Sequence, residues 1–160
     1  MKLFIIALIS FIVDRVIKVI VTNNISIYER IVVIPNFFNL THVTNDGAAF
    51  SILSGNTFFL IVVSIVALLL IVFFYLLDEN ITNKEKLVIM FLLGGIVGNL
   101  YDRIVYGYVI DYLEFNIFGY NFPIFNFADI LIVLSVFVLC ILTFKKKDDK
   151  NEENNIGQAI

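Results

Sequence analysis

The 160-residue chain contains one cysteine, one histidine and only 16% charged residues, which excludes several kinds of site. A single cysteine, Cys140, cannot form a disulfide framework within the chain. His42 is the only histidine and there is no Gly-x-Ser-x-Gly elbow, so a Ser-His-Asp triad has little support. One histidine and no His-Glu-x-x-His motif leave a poor ligand set for a metal, and the sequence predicts neither metal nor cofactor. The basic residues are few and lie at predicted membrane edges, so nothing suggests nucleic-acid binding.

Hydrophobic residues, by contrast, make up 60% of the chain, and its mean hydropathy is +0.95. Soluble domains are usually about 45–50% apolar, so the sequence predicts a membrane protein. Four stretches are long enough to cross a hydrocarbon core about 30 Å thick. They cover approximately residues 3–21, 57–77, 87–107 and 126–144. The first carries Asp14, Arg15 and Lys18 and has no clear small-residue cleavage site, which favours a retained helix over a signal peptide.

The lysines are distributed asymmetrically about these spans. The loops 22–56 and 108–125 contain only Arg30 as a basic residue. Both termini and the loop between spans two and three hold the lysines, namely Lys2, Lys84, Lys86, Lys145, Lys146, Lys147 and Lys150. Because excess Lys and Arg mark the cytoplasmic side, we expect both termini in the cytoplasm and both longer loops outside.

The segments between the spans also carry structural signals. Residues 27–34 and 38–44 are rich in β-branched and aromatic side chains and flank a turn at Pro35-Asn36, which predicts a small outer sheet. The aromatic segment 112–125 is typical of an interfacial loop, and the charged tail 145–160 of disorder. The predicted fold is an all-α membrane protein. It is a four-helix transmembrane bundle with an extracytoplasmic β-sheet platform and an interfacial loop, forming one domain over residues 1–144.

Polar residues converge at the predicted outer end of this bundle. Taken singly, each has a simpler interpretation. Asp14 and Lys18 are an i, i+4 ion pair, Asn45-Asp46-Gly47 is a turn, and Arg103 is a side chain that snorkels to the headgroups. Together they should share one layer, because isolated polar residues would scatter over both leaflets. The layer comprises Lys18, the segment 45–50, the segment 99–103, Asp111 and the segment 126–129.

Asp111 and Asp129 are the most informative members of this layer, since ionisable groups at membrane depth are costly and usually functional. Two adjacent acids can share a proton and activate water for hydrolysis. Which aspartate holds that proton is open at this point. A Ser-Lys dyad of Lys18 with Ser51 or Ser54 is an alternative catalyst. Non-enzymatic alternatives are a small transporter, which predicts polar groups spread through the membrane depth, and a structural or chaperone-like subunit.

Five short segments, extending from span one to span four, carry a more specific signal. They are Asp14-x-x-x-Lys18, Asn45-x-Gly47-x-Ala49-Phe50, Gly98-Asn99-x-x-Asp102-Arg103, Val109-x-Asp111-Tyr112 and Phe125-Asn126-x-Ala128-Asp129. In this order they resemble lipoprotein signal peptidase, also called signal peptidase II, a family of bacterial aspartyl proteases of the plasma membrane. Tyr112 stands where phenylalanine is frequent in the family.

The resemblance implies a role for each matching residue. Asp111 and Asp129 would be catalytic, on a prolipoprotein cut just before its diacylglyceryl-modified cysteine. The family also implies contact with membrane lipids, inhibition by a cyclic peptide of the globomycin type, and no cofactor. Residues that would line the substrate groove or orient the aspartates are Asn45, Gly47, Asn99, Arg103 and Asn126. Residues in supporting roles would be Asp14, Lys18, Phe50, Asp102 and Ala128.

Overall fold

The structure is a computed structural model that describes residues 3–48, 52–78 and 80–158. Four helices provide most of the fold. They are α1 (Phe4–Asn24), α2 (Thr57–Ile71), α3 (Asn83–Tyr106) and α4 (Phe127–Gln158), with a π-helical turn, Val72–Leu76, continuing α2. Four strands complete it: β1 (Arg30–Ile34), β2 (Phe38–Asn45), β3 (Val109–Ile117) and β4 (Tyr120–Asn121).

Among the described residues, three helical segments are long and apolar enough to cross a membrane: Thr57–Tyr75, Asn83–Tyr106 and Phe127–Lys147. They match the second, third and fourth predicted spans. Helix α1 has 21 residues and matches the first, but it contains Asp14, Arg15 and Lys18. The count of four spans therefore stays a prediction.

The boundaries of α3 follow from local chemistry. Thr82 and Glu85 form a reciprocal capping box at its start: Thr82 Oγ1 accepts from the Glu85 N–H at 3.2 Å, and Glu85 Oε2 accepts from the Thr82 N–H at 2.7 Å. The helix ends at Gly107, whose φ of 83° is left-handed and favours glycine. This turn leads directly into β3, which brings Asp111 back beside the end of the helix.

Small residues let α3 approach two other helices closely. A Cβ added at Gly94 would lie 2.8 Å from the Ala7 carbonyl oxygen on α1. One added at Gly95 would lie 2.7 Å from the Ala128 carbonyl oxygen on α4. Tight backbone packing of this kind is how helices associate in lipid, where burial of apolar surface contributes little.

The strands form one antiparallel sheet in the order β1-β2-β3-β4. Strands β1 and β2, with the turn 35–37 between them, confirm the small sheet predicted over residues 27–44, and its outer placement stays a prediction. The loop conformation predicted for 112–125 is wrong over much of its length, because residues 109–117 form β3 and residues 120–121 form β4. The interfacial position of this segment stays a prediction. The register pairs Val43 with Asp111 and Asn45 with Val109, so the end of β2 lies next to the start of β3, beside the helices.

Two clusters of buried apolar side chains stabilise opposite ends of the molecule. One packs the sheet against the end of α1 and consists of Val21, Ile25, Ile110 and Tyr112. The other consists of Ile81, Ile89, Met90 and Leu93. Helix α4 continues past its apolar part into the charged segment after Phe144, where Lys146 Nζ donates to the Asn80 carbonyl oxygen at 3.0 Å. The predicted disorder of the tail 145–160 and the single-domain assignment stay predictions.

Candidate active site

Asp111 lies on β3 with only 2% of its surface exposed. Both of its carboxylate oxygens accept amide hydrogen bonds. Asn45 Nδ2 donates to Oδ2 at 2.9 Å, and Asn126 Nδ2 donates to Oδ1 at 2.6 Å. Burial, and then the charge of nearby Asp129, raise the pKa of Asp111 to about 7. Asp111 is therefore a carboxyl group that can hold or release a proton near neutral pH.

Asp129 lies in the first turn of α4, where Asn126 caps the helix. The Asp129 N–H donates to Asn126 Oδ1 at 3.0 Å, and the Asn126 N–H donates to Asp129 Oδ2 at 3.1 Å. This reciprocal pair has the geometry of a capping box. Asn99 Nδ2 on α3 donates to the remaining oxygen, Asp129 Oδ1, at 2.7 Å. Each of the four oxygens of Asp111 and Asp129 thus accepts an N–H.

Both carboxylates line one cavity of about 570 Å³. Its polar side is formed by Asn45, Asn99, Arg103, Asp111 and Asp129. Its apolar side includes Phe125, Ile130, Val133 and Leu134, the last three along α4. A concave site with an apolar wall and a few convergent polar groups is typical of a binding site.

Arg103 connects α3 to the segment after β2. Its guanidinium donates through Nη2 to the Gly47 carbonyl oxygen at 2.9 Å. The Gly47 N–H in turn donates to Asn45 Oδ1 at 3.0 Å. Arg103 Nε is buried and has no hydrogen-bond partner in the described part of the chain. The Gly47 carbonyl uses one arginine N–H, so the guanidinium still has donors available toward the cavity that it lines.

A buried charge cluster lies on the far side of Asn99 from Asp129. Lys18 Nζ is 2.9 Å from Asp14 Oδ2 and 2.8 Å from Asp102 Oδ2, and it donates to Asn99 Oδ1 at 2.9 Å. The side chains of Lys18, Asp14 and Asp102 are fully buried. Arg15 also pairs with Asp102. The sequence predicted the Asp14–Lys18 pair but not Arg15, whose partner is far away in the chain.

Two further contacts fix the start of α4. The Ala128 N–H donates to Asp14 Oδ1 at 3.2 Å, and the Phe127 N–H donates to the Tyr112 hydroxyl oxygen at 3.0 Å. Ala128 is completely buried, and a Cβ on Gly98 would lie 3.5 Å from its Cβ. These contacts orient the helical turn that carries Asp129. The Tyr112 contact is one that a phenylalanine could not make.

The structure gives Ser54, one of the two alternative nucleophiles, a hydrogen-bond partner outside this cluster. Ser54 Oγ donates to Asp46, and the Gly55 N–H donates to the same carboxylate at 3.0 Å. These two hydrogen bonds lower the pKa of Asp46 and close the loop after β2. Ser54 therefore has an acceptor other than Lys18, and Ser51 lies outside the described residues.

The remaining predicted residues are placed as follows. His42 is buried, with Nδ1 2.9 Å from the Ile25 carbonyl oxygen, so it joins β2 to the end of α1. Among the described residues, no group of three or more His, Cys, Asp or Glu is positioned to hold a metal ion. Phe50 lies outside the described residues. Every other residue predicted for the site contacts another member of it or packs against one.

Known proteins resemble this chain over most of its length. The family model for signal peptidase (SPase) II matches residues 6–145. The lipoprotein signal peptidase of Alteromonas mediterranea is 37% identical over 153 residues, which cover 93% of this chain and 84% of that protein. The lipoprotein signal peptidase of Staphylococcus aureus strain JH9 is 38% identical over 148 residues, covering 92% and 91%.

Solved structures give the same result. A bacterial membrane enzyme determined by the in meso method at 2.3 Å resolution superposes with a TM-score of 0.86 and 36% identity, over 93% of this chain and 91% of that chain. A second, at 1.9 Å resolution, has a TM-score of 0.80 and 37% identity, over 90% and 93%. The chain belongs to the signal peptidase II family, membrane proteases that remove the signal peptides of prolipoproteins.

Proposed function

We propose that this protease is an aspartic endopeptidase in which Asp111 and Asp129 are the catalytic residues. The observation that carries the proposal is the geometry of the two carboxylates. Asp111 is buried and Asp129 is half-buried, both line one cavity, and each is oriented by two N–H donors. Like charges that interact in such a site cannot both ionise readily, so the pair shares one proton. No histidine, metal or serine nucleophile is needed for the reaction that such a pair performs.

The ionised carboxylate takes a proton from a water molecule as that water attacks the scissile carbonyl carbon. The protonated carboxyl group donates a hydrogen bond to the carbonyl oxygen, which stabilises the charge that develops there. Collapse of the tetrahedral intermediate breaks the C–N bond, and the leaving amine receives a proton from the carboxyl group that accepted it from water. The pair returns to its one-proton state and no covalent enzyme intermediate forms.

The cavity suits a substrate that stays in the bilayer. Its wall along α4 is apolar, while Asp111 and Asp129 lie at the α4 end that adjoins the sheet. We propose that the substrate is a prolipoprotein carrying diacylglycerol on its cysteine, with the acyl chains along Ile130, Val133 and Leu134. The scissile bond then lies just before that cysteine. A cyclic peptide of the globomycin type would occupy the same cavity, and lipids would cover the outer helix faces.

Arg103 and Asn45 line the same cavity, and Gly47 contacts both of them. Arg103 already donates to the Gly47 carbonyl, and its remaining donors suit a carbonyl of the bound peptide. Asn99 and Asn126 contact the aspartates directly and orient them. Supporting residues hold Asn99 and the start of α4 in place; they are Asp14, Lys18, Asp102 and Ala128. Phe50 is proposed for the same supporting role on sequence alone.

The apolar surface of the molecule supports a fourth span. Helix α1 is 21 residues long, or about 30 Å, enough to cross a bilayer. Its charged residues Asp14 and Lys18 are fully buried against other helices, whereas its outward face is apolar. The large exposed side chains on that face include Phe4, Ile5, Leu8, Ile9, Ile12, Val16 and Ile20. We propose four spans, with both termini cytoplasmic and the site near the extracytoplasmic surface.

The test of the proposed function is cleavage of a purified diacylated prolipoprotein by wild type, Asp111→Asn and Asp129→Asn in lipid bilayers. Each substitution keeps the size of the side chain but removes its ability to take part in proton sharing. We expect each to lower kcat by at least about 1,000-fold, since an essential acid or base is lost. Glu29→Gln is the matched control, because it neutralises an exposed acid away from the cavity. Near-wild-type cleavage by either folded Asn variant would refute the pair.

A further inference from the structure

Three asparagines surround the catalytic pair, and each has its side-chain oxygen held by a group that can only donate. Asn45 Oδ1 accepts from the Gly47 N–H at 3.0 Å, and Asn126 Oδ1 accepts from the Asp129 N–H at 3.0 Å. Asn99 Oδ1 accepts from Lys18 Nζ at 2.9 Å and, over a longer distance of 3.2 Å, from Asn126 Nδ2. An asparagine amide has one accepting end and one donating end, so fixing its oxygen also fixes where its N–H groups point.

In every case the donating end then points to a catalytic carboxylate. Asn45 and Asn126 are held by backbone N–H groups two and three residues away, so local chain geometry sets their orientation. Asn99 is different, because it is held by a side chain on another helix. Without Lys18, only the longer hydrogen bond from Asn126 Nδ2 would hold the Asn99 oxygen. Rotation of the amide by half a turn would then cost less, and it would present the oxygen to Asp129 and repel the carboxylate.

Lys18 is suited to this contact because its ammonium group is held between two counter-ions. It lies 2.9 Å from Asp14 Oδ2 and 2.8 Å from Asp102 Oδ2, it donates to Asn99 Oδ1 at 2.9 Å, and its side chain is fully buried. Two ion pairs and one hydrogen bond restrict the position of the ammonium group. Arg15 provides the second cation of the cluster through Asp102, so neutralising the buried acids does not by itself explain a contact with Asn99.

The charges around the pair are unequal. From α3, Arg103 interacts electrostatically more with Asp129 than with Asp111. Lys18, on α1, reaches Asp129 through a single asparagine, and its charge also acts on both Asp111 and Asp129. Within the described residues, Asp111, on β3, has hydrogen bonds only from the neutral amides of Asn45 and Asn126. The remaining charged groups behind the pair are Asp14 and Arg15 on α1 and Asp102 on α3, which pair within the charge cluster.

We propose that Lys18 is a positioning residue of the aspartate pair. It holds the Asn99 oxygen, directs the Asn99 N–H to Asp129, and so makes Asp129 the ionised base while the shared proton stays on Asp111. The inference rests on the proposed function. It adds an assignment of the two roles and extends the catalytic network to a residue that touches neither substrate nor carboxylate of the pair.

Lys18→Met tests this inference, with Arg15→Met as the matched control. Both remove a long cationic side chain from the same cluster on the same helix, but only Lys18 contacts Asn99. We expect Lys18→Met to lower kcat about 100-fold with KM within about threefold of wild type. The acid limb of its kcat profile should move about one unit to higher pH, because the base loses the support that keeps it ionised. Arg15→Met should keep the wild-type profile while lowering thermal stability.

Two further variants keep the test decisive if Lys18→Met does not fold. Asp14→Asn with Lys18→Met removes one buried charge of each sign and should show the same shift, and Lys18→Arg retains a donor-only cation and should restore the wild-type profile. The inference is overturned if folded Lys18→Met or the double variant has the wild-type profile, or if Arg15→Met shifts it equally. If Asp111→Asn and Asp129→Asn are inactive, those outcomes do not contradict the catalytic role of the two aspartates. The positioning role of Lys18 and the catalytic role of the pair can therefore be refuted separately.

Discussion

Amide orientation is the residue-scale feature that makes Asp111, which is buried, and Asp129, which is half-buried, a matched pair. Asn45, Asn99 and Asn126 each contribute an N–H to a carboxylate. Hydrogen bonds to an ionised carboxylate stabilise it, whereas burial and the neighbouring charge oppose ionisation. The balance leaves Asp111 with a pKa of about 7, raised chiefly by burial and secondly by Asp129. A pair balanced in this way can exchange one proton during hydrolysis near neutral pH.

Arg103 gives a prediction at the same scale. Arg103→Ala removes the donor to the Gly47 carbonyl and leaves the segment after β2 without its tie to α3. We expect kcat/KM to fall about 10–100-fold, mostly through KM, because a charge-assisted hydrogen bond contributes about 1.5–3 kcal/mol. Mass spectrometry of the product should show an unchanged cleavage position. Arg30→Ala, which removes an arginine paired with Glu114 on the sheet, is the control. An unaltered kcat/KM for Arg103→Ala would contradict a role in substrate binding and would favour the alternative in which this side chain snorkels to the headgroups.

The sequence predicted which residues come together at the candidate site, but it did not predict all of the contacts that those residues make. Asp111, Asp129 and the three asparagines follow from convergence and from the family motifs. The Arg15–Asp102 pair and the Tyr112–Phe127 contact do not, because each depends on how separate elements pack. Lys18 has a local partner, Asp14, four residues away, and the sequence pattern predicted only that pair. The contact of Lys18 with Asn99 on another helix was not predicted.

At the scale of elements, close packing of α3 against α4 places Asp129. Gly95 lies where a Cβ would come within 2.7 Å of the Ala128 carbonyl oxygen and 3.0 Å of Ile132 Cγ1. The nearer atom belongs to the backbone of the first turn of α4, so it cannot rotate out of the way. Any side chain at this position must push that turn, and Asp129 with it, away from Asn99.

Gly95→Val should therefore lower both stability and activity. Overpacking of a tight contact typically costs about 1–3 kcal/mol, which should appear as a lower thermal midpoint in detergent. Cleavage by the fraction that remains folded should also decrease. Ile104→Ala, on the same helix with 61% of its surface exposed, should change the midpoint little. Equal midpoints for Gly95→Val and wild type would contradict the close approach of α3 and α4.

Sequence patterns predicted some strands of the sheet but not others. The hairpin of β1 and β2 was predicted because its strands are rich in β-branched and aromatic side chains and flank a turn at Pro35-Asn36. Strand β3 was not predicted. It overlaps the aromatic segment 112–125, which contains Gly119 and Pro123 and was interpreted as an interfacial loop. Its strand conformation depends on pairing with β2, whose Val43 lies opposite Asp111. Pairing between distant segments leaves no local signature.

At the scale of the whole molecule, the distribution of lysines and the apolar surface give the proposed orientation. The sheet lies at one end of the bundle, and Phe118 at the turn between β3 and β4 is fully exposed. The charged segment that begins at Lys145 lies at the other end of α4. The positive-inside rule then assigns the sheet and the active site to the outside.

Cysteine labelling checks this orientation, because Cys140 is the only native cysteine. In a Cys140→Ser background, Phe118→Cys should react with a membrane-impermeant maleimide on intact cells. Lys145→Cys should react only after the membrane is permeabilised. The reverse pattern would place the active site in the cytoplasm and contradict the orientation, and cleavage activity of both variants would show that they are folded.

The central claim is that one proton is shared by Asp111 and Asp129, and the pH dependence of kcat/KM for the wild-type enzyme tests it most directly. Mutation to asparagine would inactivate any enzyme that needs these residues, whereas a pH profile reports the protons themselves. Because the pKa of Asp111 lies at about 7, kcat/KM should be lost as pH rises through about 7 and Asp111 gives up the shared proton. The fall should approach tenfold per pH unit and reverse on returning to pH 6. A profile that stays flat from about pH 6 to 9 in folded enzyme would contradict the shared proton.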